Sequence, residues 1–142
     1  MSTDCVFCRI VEGAAPASVV HADDTAVAFL DIAPITPGHL LVVPRAHATG
    51  LADLDPATGR HVFGVAHRLA AALRASGLRC EGVNLFLADG AAAFQEVPHL
   101  HLHVLPRWRG DRFKLSYQAG RPSRATLETQ AADLRAALRT RD

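Results

Sequence analysis

The nine residues Pro98-His99-Leu100-His101-Leu102-His103-Val104-Leu105-Pro106 alternate imidazole with aliphatic side chains. At the two-residue period of a strand this puts His99, His101 and His103 on one face, with Leu100, Leu102 and Val104 turned toward a core. Three imidazoles in register allow three readings. They can form the polar face of a half-buried strand, or converge on a metal ion as neutral ligands. Alternatively, one ring can attack an electrophile while a neighbouring group orients it and fixes its tautomer. A single histidine fits the first reading best, whereas three in register strain it.

A second set begins with Cys5-Val6-Phe7-Cys8, whose two-residue separation is that of tetrahedral zinc sites and calls for two further ligands. The other reading is a buried thiol pair. The third cysteine, Cys80, stands alone and is expected in the core. His61 and His67 fall on different faces of one helix and cannot share a metal, and His21 reads as a turn residue.

The elements that must position these groups follow from hydrophobic periodicity and breakers. A short helix covers Cys5 to Ile10 and stops at Glu12-Gly13. Val19 to His21 and Thr25 to Asp31 read as a hairpin, and Ala33-Pro34-Ile35-Thr36-Pro37-Gly38 as a structured loop. His39 to Val43, closed by Pro44, is a buried strand with His39 at its mouth. The main helix runs from Asp55-Pro56 to Ser76-Gly77, with Val62, Phe63, Val65, Ala66, Leu69, Ala70 and Leu73 at helical spacing. Gly82 to Leu87 is a further strand, followed by a turn-prone Asp89 to Ala93. Ser123 caps a last helix over about 123–140, whose Leu127, Ala131, Leu134 and Leu138 stripe is expected on the body or on a second subunit. Helices mixed irregularly with antiparallel strands predict an α+β class.

The 142 residues, 49% hydrophobic and 20% charged, fit one globular domain over 1–142 and exclude a disordered chain. A net charge of +1 gives no basic surface for a nucleic acid backbone, so small ligands are the expected partners. Met1-Ser2-Thr3-Asp4 opens no basic-then-apolar leader, and no run approaches the roughly 20 apolar residues of a membrane span. A cytoplasmic protein without membrane attachment is the expectation.

His99-Leu100-His101-Leu102-His103-Val104-Leu105 resembles the signature of the histidine-triad (HIT) family. The resemblance extends through Phe29-Leu30-Asp31-Ile32, the Pro-rich loop, His39 to Pro44, Arg45-Ala46-His47 and Gln95-Glu96-Val97, over about residues 5–111. It implies a HIT-like fold, an antiparallel sheet with a long helix and a C-terminal helix, and a nucleotide hydrolase or nucleotidyl transferase. By the family's pattern His101 attacks the α-phosphorus and water then cleaves the nucleotidyl-histidine. The same pattern makes the His99 carbonyl the acceptor that orients His101, and puts His103 and His39 on the phosphate and bridging atom. It places Phe7, Ile10, Phe29, Ile32 and Leu41 in the base slot, Asp31 on the ribose hydroxyls, and Phe94, Gln95 and Glu96 also at the nucleotide. For Ile10 and Leu41 ordinary core is the other reading, and for Asp31 a loop-capping carboxylate.

Similarity to bacterial-type members implies a structural zinc held by Cys5, Cys8, His47 and His99, and similarity to the family generally implies a homodimer. Two positions depart from the pattern: Ala88 stands where relatives carry Asn or Gln, and Phe94 where they usually have glycine. The leading expectation is hydrolysis of purine nucleoside phosphoramidates. The alternatives are a dinucleoside polyphosphate hydrolase or phosphorylase, with Arg107 meeting a longer phosphate chain, and a nucleotide-binding protein of vestigial activity.

Overall fold

A computed structural model describes residues 4–141. In chain order the elements are α1 (Val6–Val11), β1 (Val19–Ala22), β2 (Ala26–Leu30), β3 (Leu40–Pro44), α2 (Pro56–Ala75), β4 (Gly82–Leu87), β5 (Leu102–Arg107) and α3 (Arg124–Arg139). The strands form one antiparallel sheet in the order β1-β2-β3-β5-β4.

The middle of the sheet is covered on both faces, which explains why β2 and β3 read as nearly continuous apolar runs. On one face α2 lays Val62, Val65, Ala66, Leu69 and Leu73 against Ala28, Val42, Leu102 and Val104. Each large aliphatic side chain fully buried in this layer contributes about 1.5–3 kcal/mol. The start of α2 is fixed by Pro56 and by the Asp55 carboxylate, which accepts the Thr58 N–H at 3.1 Å. On the opposite face α1 packs Phe7 and Cys8 over Val27, Phe29, Leu41 and Val43. That face carries the histidines.

Three expectations change. The histidine run is not a strand throughout: β5 begins only at Leu102, and residues 97–99 bend. The Leu100 N–H donates to the Ala48 carbonyl at 2.7 Å, and His99 turns toward the cysteines, so tertiary partners replace the ladder there. His21 lies in β1, where the hairpin reading puts it, and its reading as a turn residue falls. Its Nε2 lies 2.7 Å from the Asp23 carboxylate, which His61 of α2 approaches at 2.8 Å and to which the Thr25 and Ala26 amides donate. Burial raises the Asp23 pKa, but those four partners outweigh it and hold the carboxyl far below its ordinary range.

The C-terminal helix does not pack on its own body. Ser123 caps it as expected, yet none of its described residues is buried, and Leu134 and Leu138 are about two-thirds exposed. Phe63 of α2 and Leu85 and Phe86 of the edge strand β4 are exposed as well. No helix among the described residues is long and apolar enough to cross a membrane.

Candidate active site and metal centre

A cavity of about 920 Å³ opens on the α1 face of the sheet, and His39, His101 and His103 line it together. Backbone partners fix the tautomers of His101 and His39, and His39 in turn fixes that of His103. His101 Nδ1 lies 2.8 Å from the His99 carbonyl, which can only accept, so Nδ1 carries the proton and Nε2 presents a lone pair. The edge of Phe7 packs on this ring at 5.1 Å. The Ile35 N–H donates to His39 Nδ1 at 3.1 Å, which leaves the His39 proton on Nε2. That nitrogen donates to His103 Nδ1 at 2.8 Å, so the His103 proton sits on Nε2. A single backbone amide thus sets the polarity of a two-ring relay.

Burial keeps both relay rings neutral. The His103 pKa is pushed down to about 4, chiefly by desolvation and then by the neighbouring His101 and His39 rings. Burial likewise lowers His39, although the Asp31 carboxylate opposes the shift. Asp31 caps the loop and also lines the cavity. One carboxylate oxygen accepts the Ala33 N–H at 2.9 Å and caps the loop, and the other lies 3.7 Å from His39 Nε2.

Phe7, Ile10, Phe29, Ile32 and Leu41 all reach this cavity. Phe7 and Phe29 meet edge to face at 5.5 Å, whereas Ile32 is almost wholly exposed on the rim. Phe94 and Glu96 line the mouth. Phe94 is 82% exposed with φ 68° and ψ 28°, a left-handed conformation unfavourable for a bulky residue. Ala88 is buried.

Gln95 departs from its expected place at the nucleotide. It is absent from the cavity wall, because its amide is used to staple the loop. Its Oε1 accepts the Gly90 N–H, and its Nε2 donates to the Thr49 and Val97 carbonyls. Arg107 is likewise unavailable to a phosphate chain. Its guanidinium makes two bonds to Asp111, at 2.6 and 2.9 Å, one to Asn84 Oδ1 at 2.6 Å, and one to the Phe113 carbonyl at 2.8 Å. Among the described residues no lysine or arginine lines the cavity, while Asp31 and Glu96 do. Sequence reasoning missed the wall formed by Leu85, Phe86, Phe113 and Leu115. The strand alternation could have flagged Phe86, but nothing local marked Phe113 or Leu115.

The ligating atoms of Cys5, Cys8, His47 and His99 all lie within 4.8 Å of one another. His99 Nδ1 is 3.3 Å from Cys5 Sγ and 3.5 Å from Cys8 Sγ, and His47 Nδ1 is 3.3 Å from Cys8 Sγ. The Pro44 carbonyl accepts the His99 Nε2–H at 2.8 Å, which keeps that ring's proton on Nε2 and directs the Nδ1 lone pair to the thiols. Two thiols and two imidazoles with no place left for substrate suit a structural zinc. Without a cation, burial and the adjacent Cys5 raise the Cys8 thiol pKa, a cost that a bound dication reverses. A second trio of ligand-type atoms, from Asp31, His39 and His103, is equally close. It does not suit a metal, because the Ile35 amide occupies His39 Nδ1 and leaves the proton on Nε2, which is spent on His103 Nδ1. His99 joins the two centres: its side chain faces the thiols and its carbonyl orients His101.

The HIT domain family matches residues 12–110. An uncharacterized HIT-like protein of Mycobacterium tuberculosis is 41% identical over 140 residues, covering 97% of this chain and 95% of the relative. A zinc-bound histidine triad family protein from Mycobacterium smegmatis superposes with a TM-score of 0.77 at 43% identity, covering 96% of this chain and 99% of that one. A HIT family protein from Bacillus anthracis gives 0.89 at 32% identity, with the same coverage.

Proposed function

The chain belongs to the HIT family, and on that premise we propose that it hydrolyses nucleoside monophosphate derivatives of the purine phosphoramidate type through a nucleotidyl-histidine on His101. One observation carries the reading: the His99 carbonyl holds the Nδ1 proton of His101, which leaves Nε2 facing the cavity as a nucleophile. His101 Nε2 attacks the α-phosphorus and the bond from phosphorus to the leaving nitrogen breaks, the amine taking up one proton from solvent at the open mouth. Water then attacks the same phosphorus, the bond to Nε2 breaks, and the water gives back one proton. The sum is one water consumed, one nucleotide and one amine released. His103, neutral with its proton on Nε2, donates a hydrogen bond to the phosphoryl oxygens as charge gathers there. His39 holds His103 in that tautomer. Phe7, Ile10, Phe29, Ile32 and Leu41 take the base, Asp31 the ribose through its free oxygen, and Phe94 and Glu96 the mouth.

Zinc, held by Cys5, Cys8, His47 and His99, would serve as a structural clamp on α1 and the His99 backbone. Exposed Phe63 on α2 and the unpaired edge of β4 support a homodimer.

The test is intact-mass analysis after rapid mixing with an adenosine phosphoramidate. Wild type is expected to carry a nucleotidyl adduct, and a folded His101→Ala protein to carry none and to lose at least about 10³-fold in kcat. Undiminished turnover by His101→Ala would overturn the mechanism. The polyphosphate reading loses its cation, since Arg107 is committed to Asp111, Asn84 and Phe113. A nucleotide-binding role without turnover is favoured only by Phe94 at the mouth, and micromolar nucleotide affinity with no adduct would select it.

A further inference from the structure

We propose that the part of the cavity beyond His103 is a leaving-group subsite for an apolar amine, walled by Leu85 and Phe86 of β4 and by Phe113 and Leu115 of the chain after β5. The proposal rests on the phosphoramidate reading above and names the class of amine that the reaction releases.

Strand register gives the first argument. Phe29 pairs with Leu41, Leu41 with His103, and His103 with Phe86, so these four residues form one row across β2, β3, β5 and β4. Because adjacent strands lie about 4.8 Å apart, the row sets the base slot on one side of the triad and Phe86 on the other. The Phe86 ring lies 5.7 Å from that of His103. In an in-line displacement the departing group leaves opposite the attacking nitrogen. A nucleotide seated with its base on Phe29 and Leu41 and its phosphorus at His101 therefore has the apolar β4 wall, across the triad from the base, open to its other substituent. The cavity is roomy enough, since its volume of about 920 Å³ stands near the top of the range of roughly 300–1,000 Å³ for small-molecule sites.

Charge gives the second. The charged side chains on the wall are the carboxylates Asp31 and Glu96, with no lysine or arginine among the described residues. A polyphosphate leaving group would bring several negative charges into a place without a cation, whereas an amine brings none before the bond breaks. The third argument is construction. Arg107 grips Asp111 and the Phe113 carbonyl, and its guanidinium carbon stands 4.8 Å from the centre of the Phe113 ring. This holds Phe113 at the cavity instead of leaving it in a loose tail.

The test compares adenosine 5′-phosphoramidate with its N-phenethyl derivative, reading the ratio of kcat/KM. Wild type is expected to favour the phenethyl compound about tenfold, the gain from burying roughly 60 Å² of apolar surface. In Phe113→Ala/Leu115→Ala the ratio should fall to about two, and Leu115→Glu should reverse it toward an N-(2-aminoethyl) derivative that carries an ammonium group. These residues lie outside the sheet and its core clusters, so folding is checked independently by the thermal midpoint. A wild-type ratio near one, or one that the double variant leaves intact, overturns the proposal. So does faster cleavage of diadenosine tetraphosphate than of either amide, which would put a second nucleoside in the subsite. If neither amide turns over, the phosphoramidate reading fails. Calorimetric Kd values for the two compounds on His101→Ala then decide the subsite alone: a tenfold preference that the Phe113 and Leu115 changes abolish supports it, and equal affinities refute it.

Discussion

Acidification is expected to destabilise the fold through His103, and the sign follows from its burial. The folded ring has a pKa of about 4, whereas an unfolded histidine titrates near 6.5. Between those values the unfolded chain binds the proton and the native chain does not, so stability falls as pH drops from about 6.5 and levels off below about 4. A gap of about 2.5 pH units at 1.36 kcal/mol each has a ceiling of about 3.4 kcal/mol. His103 is only half-buried, and solvent screening reduces that to about 1.5 kcal/mol. The assay is urea unfolding of wild type and His103→Gln at intervals from pH 7.5 to 4. Glutamine does not titrate, and acid effects on the cysteines and on Asp23 are common to both proteins. The wild-type midpoint should therefore drop further, by about 0.5–1 M urea. Parallel curves would refute the neutral, buried relay, and a wild type that gained stability in acid would mean that His103 is charged in the fold.

Three further outcomes are expected. Cys8→Ser should lower bound zinc to under half an equivalent by elemental analysis and depress the thermal midpoint. If the His99 carbonyl orients His101 as described, kcat should fall as well. Asp23→Ala should cost about 2 kcal/mol in chemical denaturation, because it frees two amides and two imidazoles that tie the β1-β2 hairpin to α2. Intact stability there would mean that the cluster is solvent-satisfied. Ending the chain after Pro122 removes α3, whose described residues are all unburied, and should leave the monomer's unfolding free energy within about 0.5 kcal/mol. A large loss, or a change of mass in light scattering, would show that α3 is buried against a second copy.

Local patterns were legible wherever neighbours in sequence are neighbours in space. The apolar spacing and the Asp55-Pro56 start predict the long helix, and α2 runs Pro56–Ala75. The apolar run after the Pro-rich loop predicts a buried strand, and β3 is buried throughout. The same alternation overextended the strand at His99 and His101, because a period of two describes the chain only while a ladder partner continues. At Leu100 the partner is Ala48, not a strand. For α3 the apolar stripe predicts a helix correctly but cannot say what it meets.

The sequence by itself determined the fold class, the family, the donor types at Cys5, Cys8, His47 and His99, and which face of the sheet would hold imidazoles. Spacing along one chain carries that much. Only the tertiary structure decided which nitrogen of each ring holds its proton. The deciding atoms are the carbonyls of Pro44 and His99 and the amide of Ile35, and the first is 55 residues from the ring that it fixes. Folding also diverted Gln95 and Arg107 from expected ligand contacts and brought Phe113 and Leu115 to the cavity wall. Gln95 and Arg107 are each held by partners within about 3 Å, and a hydrogen bond's direction and range fix that choice only once distant segments have packed.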